Sequence, residues 1–490
     1  MKSLKDRTVS GVKWQVVNKV LQRVISVITF AILARLLEPS TFGLFALAFV
    51  AIDAFQTLKS FGLDAALIHR KEQIEEASHT AFFIVQGSGI VMLLASLIIA
   101  PIAGHFFHNQ QVVSVIRALG VVFIFSSFSR IPSTLLAKKM RFDLISITEL
   151  LSSTVNCIFA VIFSLLWPSV WSLVGAYILK QLTQAIATRH FSGYRVKFQF
   201  SPKIAKELFH YGRFMVGMGI MGYLGENLND MVVGKLLGVT LLGYFALADN
   251  VGNFINTHFR SLISSVMFPA FSTLRDDRED MKRAYLKTMR YISMCSIPFG
   301  VFLICLAKEF VLTLYGPKWL PIVPLMRVFG VIELIVPFAA CAGSVLFAFG
   351  KPNYNFRIGL ATLLIRMPLL VVFTKMWGLL GTVNTALVMN LIFIPVYVHL
   401  VRKFIPFKMK ELFAQLFPSF ACSIIMLITV FSFKFIVFFY PFLSSALNSH
   451  FIQLALFSAA GFLSYVVAFF FIDRGSTLEV KRMIFNYERT

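Results

Sequence analysis

The chain has 490 residues, 58% of them hydrophobic and 14% charged, and carries a formal net charge of +23. Soluble domains are about 45–50% apolar and about 25% charged, so an ordinary soluble enzyme is excluded and a polytopic helical membrane protein is indicated. Such a basic balance also suits a nucleic-acid binder, but basic residues collect in the cytoplasmic loops of membrane proteins, which accounts for the charge without nucleic acid.

Apolar runs of about 20 residues, the length that crosses a bilayer, fall in the first half at 12–34, 42–66, 80–101, 112–132, 147–167 and 170–190. The second half gives 210–236, 241–268, 288–308, 322–347, 356–376 and 380–401, and two more follow at 414–438 and 451–472. The pattern predicts an all-α polytopic membrane protein of about 14 transmembrane helices, with two pseudo-symmetric six-helix lobes and a C-terminal helix pair. The expected divisions are 1–206 for helices 1–6, 207–405 for helices 7–12, and 406–490 for helices 13–14 and a tail.

Two segments support the duplication. Residues 34–48 read ARLLEPSTFGLFALA and residues 234–248 read GKLLGVTLLGYFALA, aligned without a gap. Leu36, Leu37, Gly43, Phe45, Ala46, Leu47 and Ala48 recur as Leu236, Leu237, Gly243, Phe245, Ala246, Leu247 and Ala248, and Arg35 recurs as Lys235. Duplicated halves are a recurring plan of secondary transporters, with the substrate site between the halves. An even number of spans per half makes the repeats parallel, related by an axis along the membrane normal.

The loops set the orientation. With the N-terminus inside, the cytoplasmic loops hold about 29 Lys and Arg, against about five in the opposite loops. Both termini are therefore expected in the cytoplasm. Lys2, Lys5 and Arg7 precede no short apolar run with a small-residue cleavage site, so the first helix reads as retained. The outer loops are short, which argues against an enzyme domain on that side.

Charges inside spans are costly and usually face a bundle interior or a watery cavity. Gln15, Lys19, Gln22, Arg23 and Ser26 share one face of the first helix, and the second carries Asp53, Gln56, Ser60 and Asp64. The seventh carries Tyr223, Glu226 and Asp230, and the eighth Asp249, Asn253, Asn256, Arg260 and Ser264. The richest stripes thus fall on the first two helices of each half, as expected if these four line a common cavity, and Arg366 joins them from the eleventh. A blander reading stands beside this one: Lys19 and Arg23 snorkel to the headgroups, and the acids pair structurally with Arg260 or with backbone.

Other signals lead nowhere. Cys157, Cys295, Cys305, Cys341 and Cys422 lie in apolar segments without a CxxC pair, so neither disulfides nor a metal site is expected. Asp276, Asp277 and Asp280 sit in a mixed-charge loop, and His105 and His108 have no third ligand nearby. No GxxxxGK[ST] loop is present, so the chain is not expected to hydrolyse ATP, and no cofactor is expected.

Several motifs carry a family resemblance. SGVKW at 10–14, LAR at 33–35, FGL at 42–44 and FGLDAALIHRKE at 61–72 resemble oligosaccharide flippases of the polysaccharide transporter family, within the multidrug/oligosaccharidyl-lipid/polysaccharide exporter superfamily. LGYFALADNV at 242–251, MFPAFSTLRDD at 267–277, YGPKW at 315–319 and GKP at 350–352 are similar to its second half, and the colanic acid and teichuronic acid exporters are the most similar members. The resemblance implies 14 helices, two lobes, alternating access and a non-enzymatic role in surface polysaccharide assembly at the bacterial inner membrane. It also implies a substrate of undecaprenyl-diphosphate-linked repeat units, with membrane lipids and polysaccharide polymerase machinery as further partners.

The family supplies no strict motif to map, so the candidate residues rest on helical faces. Lys19, Arg23, Arg260 and Arg366 are expected to hold the diphosphate, and Gln22, Asn253 and Asn256 to meet sugar hydroxyls. Asp53, Glu226, Asp230 and Asp249 are candidate coupling or cavity acids. Two alternatives remain: a multidrug extruder of the same superfamily, and a membrane glycosyltransferase or polymerase.

Overall fold

A computed structural model describes residues 4–59, 63–70, 72–255, 267, 270–439 and 449–474, and every regular element among them is helical. The chain divides into two compact units, Met1–Ala246 and Leu247–Thr490. Nine helical stretches among the described residues are long and apolar enough to cross a membrane.

Unit 1 contains α1 (Leu4–Leu36), α2 (Pro39–Lys59), α3 (Leu63–His69), α4 (Ile74–Phe106), α5 (Gln110–Gly120) and α6 (Val122–Lys138). It continues with α7 (Phe142–Leu166), α8 (Val170–Ser192), α9 (Pro202–Leu237) and the start of α10 (Val239–Gly252). The range read as one span at 42–66 is shared by α2 and the short α3. Arg130 Nε donates to Asp64 Oδ2 at 2.6 Å and Lys138 Nζ donates to the Leu67 carbonyl at 2.8 Å. These bonds fix both ends of α3. Asn109 starts α5 by accepting from the Gln111 N–H at 2.9 Å, a standard helix cap.

The two repeat copies meet in unit 1. A Cβ on Gly43 would overlap the Val239 carbonyl oxygen and sit 2.9 Å from the Gly243 nitrogen. Reciprocally, a Cβ on Gly243 would overlap the Pro39 carbonyl oxygen and sit 3.1 Å from the Gly43 nitrogen. Positions 39 and 239 are equivalent in the repeat, as are 43 and 243. The first turns of α2 and α10 therefore cross at backbone contact with local two-fold reciprocity, which only glycine permits.

Unit 2 holds the rest of α10, α11 (Arg278–Leu314), α12 (Val323–Ile335), α13 (Ala342–Ala348), α14 (Pro352–Phe404), α15 (Met409–Phe439) and α16 (His450–Ile472). Short 3₁₀ turns at Pro317–Ile322 and Val336–Ala339 flank α12. Asp276 and Asp277 lie in the exposed turn before α11, as the loop reading expects, and Asp280 in its first turn; Asp277 caps the helix, its Oδ1 accepting from the Glu279 and Asp280 N–H groups at 3.0 Å each. Within α14, Gly378 has φ 59° and ψ −138°, a conformation closed to side-chain-bearing residues, so the element is two helices. They match the ranges expected at 356–376 and 380–401.

Each unit closes its fifth–sixth helix pair alike. Ser164 Oγ meets Ser172 Oγ at 2.9 Å across the α7–α8 turn, and Thr374 Oγ1 meets Thr382 Oγ1 at 2.9 Å across Gly378. Trp167 and Trp377 stand three residues after the first member of each pair. The duplication thus extends beyond the 15-residue match.

Candidate functional site

The polar interior of unit 1 starts on α1. Asn18 Nδ2 donates to Glu149 Oε2 on α7 at 3.0 Å. Gln22 Nε2 reaches the same oxygen at 3.3 Å and Asn18 Oδ1 at 3.2 Å. Ser152 Oγ, one turn along α7, donates to Gln184 Oε1 on α8 at 2.7 Å. Lys180, at the centre of α8, lies in the field of Glu149, and its ammonium stands 5.9 Å from the Tyr177 ring centroid. Among the described residues it makes no hydrogen bond or ion pair. Tyr177 receives a hydrogen bond from Gln181 at 3.1 Å and packs edge-on against Phe45 and Phe49 of α2.

A second seam joins α2 to α9. Asn227 Nδ2 donates to Asp53 Oδ2 at 2.9 Å and to the Tyr223 carbonyl at 3.2 Å, while the Tyr223 hydroxyl donates to the Val50 carbonyl at 3.0 Å. Asp53 and Asp230 both act electrostatically on Tyr223.

In unit 2, Asn253 Nδ2 donates to Asp249 Oδ1 at 2.8 Å, and the charges of Asp249 and Arg366 are coupled. Two further acids serve helix packing. Glu333, 1% exposed, accepts from Ser296 Oγ at 2.5 Å beside the Gly300–Gly330 crossing of α11 and α12. Glu309 pairs with Lys434 at 2.7 Å, and Lys434 Nζ also donates to the Cys305 carbonyl at 2.6 Å.

The sequence-derived candidates therefore separate. Gln22 is engaged with Glu149, and Asp53 with Asn227. Asp249, Asn253 and Arg366 come together although the sequence assigned them different roles. Lys19 and Glu226 are exposed, while Arg23 and Asp230 are half-buried. Asn256 and Arg260 lie outside the described residues. Sequence reasoning missed Lys180 and Glu149. A lone Lys in an apolar run, followed by Gln181 and Gln184, was the available signal. Among the described residues no cluster of three or more His, Cys, Asp or Glu is arranged to hold a metal ion.

A sequence model described as "Polysaccharide biosynthesis protein" matches residues 32–324, more than half of the chain. The chain belongs to the polysaccharide biosynthesis protein family. It is similar to the lipopolysaccharide biosynthesis protein WzxC of Escherichia coli, at 24% identity over 392 residues covering 80% of each chain. It is also similar to the teichuronic acid biosynthesis protein TuaB of Bacillus subtilis, at 22% identity over 73% of this chain and 74% of that one. Among solved structures, the lipid II flippase MurJ in an inward closed conformation superposes with TM-score 0.73 at 13% identity, covering 95% of this chain and 99% of the other. This member of the polysaccharide biosynthesis family thus has the all-helical fold of MurJ and of the multidrug transporters related to it.

Proposed function

We propose that the protein moves undecaprenyl-diphosphate-linked oligosaccharide repeat units from the cytoplasmic to the outer leaflet of a bacterial inner membrane by alternating access. On this reading it has 14 spans with both termini in the cytoplasm, and the lobes run 1–206 and 207–405 with the final helix pair beyond. A diphosphate and its sugars cannot cross hydrocarbon unaided, because each unsatisfied polar group there costs several kcal/mol. The observation that carries the reading is the Lys180 ammonium at the middle of α8, which makes no hydrogen bond or ion pair among the described residues and lies in the field of Glu149, itself bonded to the amides of Asn18 and Gln22. An ammonium suits an anionic headgroup, and amides, hydroxyls and aromatic rings suit sugars.

In this scheme Lys180, Arg23, Arg366 and Arg260 meet the diphosphate at successive stages, with Lys19 nearest the entry. Gln22, Asn253 and Asn256 contact sugar hydroxyls. Asp53, Glu226, Asp230 and Asp249 offset the cations or couple transport to an ion. The polyprenyl tail stays in lipid, and a polymerase acts on the delivered repeat units.

The test is the leaflet distribution of lipid-linked oligosaccharide in cells depleted of the protein. Accumulation on the cytoplasmic side with loss of surface polysaccharide is the expected result. Unchanged lipid-linked sugar with increased sensitivity to cationic drugs would replace this reading with a multidrug extruder, a function named for solved relatives of the same fold.

A further inference from the structure

At the end of unit 2 where α14 passes into α15, a cavity of about 480 Å³ is lined by Lys282, His399, Arg402, Lys403, Lys408 and Glu411, among others. Four permanent cations face one carboxylate. That carboxylate is already committed: Glu411 Oε2 accepts from the Lys408 backbone N–H at 2.7 Å, and Oε1 pairs with Lys282 Nζ at 3.0 Å. Arg402 Nε donates to the Phe407 carbonyl at 3.1 Å, which anchors the guanidinium against the turn. Its terminal nitrogens have no other acceptor among the described residues, and neither do the ammonium groups of Lys403 and Lys408. A preformed concave site with uncommitted cationic donors suits a phosphate group.

The α14 surface below the cavity distinguishes the sources of phosphate. Ile392, Val396, His399 and Lys403 follow one another at three- to four-residue spacing and so share one helical face. Ile392 is 43% and Val396 39% exposed, and both lie within a helix apolar enough to cross the membrane. The face is apolar where it runs into the bilayer and basic where it leaves. A soluble phosphate gains nothing from the apolar part, whereas a phospholipid uses both.

We propose that this cavity holds the phosphate of an anionic membrane phospholipid, with its acyl chains along the Ile392–Val396 face. The orientation proposed above places the lipid in the cytoplasmic leaflet, but binding itself is independent of transport. Phosphatidylglycerol binds the full-length protein in preference to phosphatidylcholine, because only the former brings net negative charge.

The test is titration of phosphatidylglycerol, phosphatidylcholine and inorganic pyrophosphate onto purified full-length protein in mild detergent, with bound lipid counted by native mass spectrometry. Removing two cations with Lys403→Gln/Lys408→Gln lowers apparent affinity for phosphatidylglycerol about 30-fold, at roughly fivefold per cation. Millimolar pyrophosphate leaves the lipid bound. Both substituted residues are exposed; if the double variant does not elute as the native species, Lys403→Gln alone gives about a fivefold loss. Equal retention of phosphatidylcholine, unchanged affinity in the variants, or displacement of the lipid by pyrophosphate overturns the proposal. The last result would mark a soluble-phosphate site. Failure of the leaflet assay leaves this titration unaffected, so the two readings stand or fall separately.

Discussion

Gly43→Ala puts the repeat contact under direct test. The added Cβ overlaps the Val239 carbonyl oxygen and stands 2.9 Å from the Gly243 nitrogen. Both opposing atoms are backbone, so no rotamer change relieves the clash, and the first turns of α2 and α10 must separate by roughly 1 Å or more to reach normal contact. Overpacking of side chains costs about 1–3 kcal/mol, and a backbone clash belongs at the upper end, about 3 kcal/mol. Gly243→Ala meets the Pro39 carbonyl in the same way, so its cost is similar. Once one alanine has parted the helices, the second finds space, so the double variant costs far less than the two singles together. Gly222→Ala is the control. Nothing lies within 4 Å of a Cβ there, and removing a mid-helix glycine is stabilising by about 0.5–1 kcal/mol. Thermal midpoints of the four variants in one detergent decide the matter. Equal midpoints for Gly43→Ala and Gly222→Ala, or additive losses in the double variant, would refute the reciprocal crossing.

Lys180→Met removes the uncommitted ammonium, and a lost charge-assisted contact of about 1.5–3 kcal/mol lowers export about 10- to 100-fold at unchanged membrane abundance. Lys180→Arg retains part of the activity; surface polysaccharide per cell is the readout, and full export by Lys180→Met removes this residue from the site. Asp249→Asn takes away the carboxylate coupled to Arg366, so that the arginine holds an anionic substrate longer. The expected signature is slower export with more lipid-linked oligosaccharide co-purifying, and a loss of bound substrate would contradict it. Lys434→Met strips the 2.7 Å partner from Glu309 and destabilises by about 3 kcal/mol, because it leaves a half-buried charge uncompensated. Adding Glu309→Gln restores most of the thermal midpoint; if it restores none, the pair is not the cause.

Hydropathy made the helix ranges legible because twenty apolar residues in succession have few other uses. It does not register what happens inside a range. The division of α2 from α3 depends on Asp64 meeting Arg130, a contact 66 positions away in sequence. Helical periodicity placed Gln22 on a polar face but could not identify what stands opposite, which is Glu149. Lys180 escaped for a different reason. It lies outside the helices that carry the repeat, yet a single Lys at the centre of 170–190 fits the rule for intramembrane charge better than Lys19, which is exposed. On α9, Gly219 permits a close approach, with Thr57 Cγ2 at 3.0 Å from its Cβ position, whereas a Cβ on Gly222 would meet nothing within 4 Å, a difference that the shared residue type does not reveal.

Lys434 and Lys180 differ in how their charge is offset, and on the proposed reading the difference separates scaffold from site. Lys434 is closed: Glu309 and the Cys305 carbonyl take its donors at 2.7 and 2.6 Å. Lys180 is open. It lies in the field of Glu149, which lowers the cost of burying a cation on α8, yet the two do not touch. The amides of Asn18 and Gln22 engage the Glu149 carboxylate and hold it on the α1 side. A direct Lys180–Glu149 pair would force an arriving phosphate to break a low-dielectric ion pair before gaining one of its own, and the net gain would be small. On the proposed reading, tethering Glu149 lets an arriving phosphate contact Lys180 without first breaking an ion pair, while the nearby carboxylate tempers that contact. A transporter needs binding strong enough to load and weak enough to unload, and on the proposed reading a tethered counter-charge serves both.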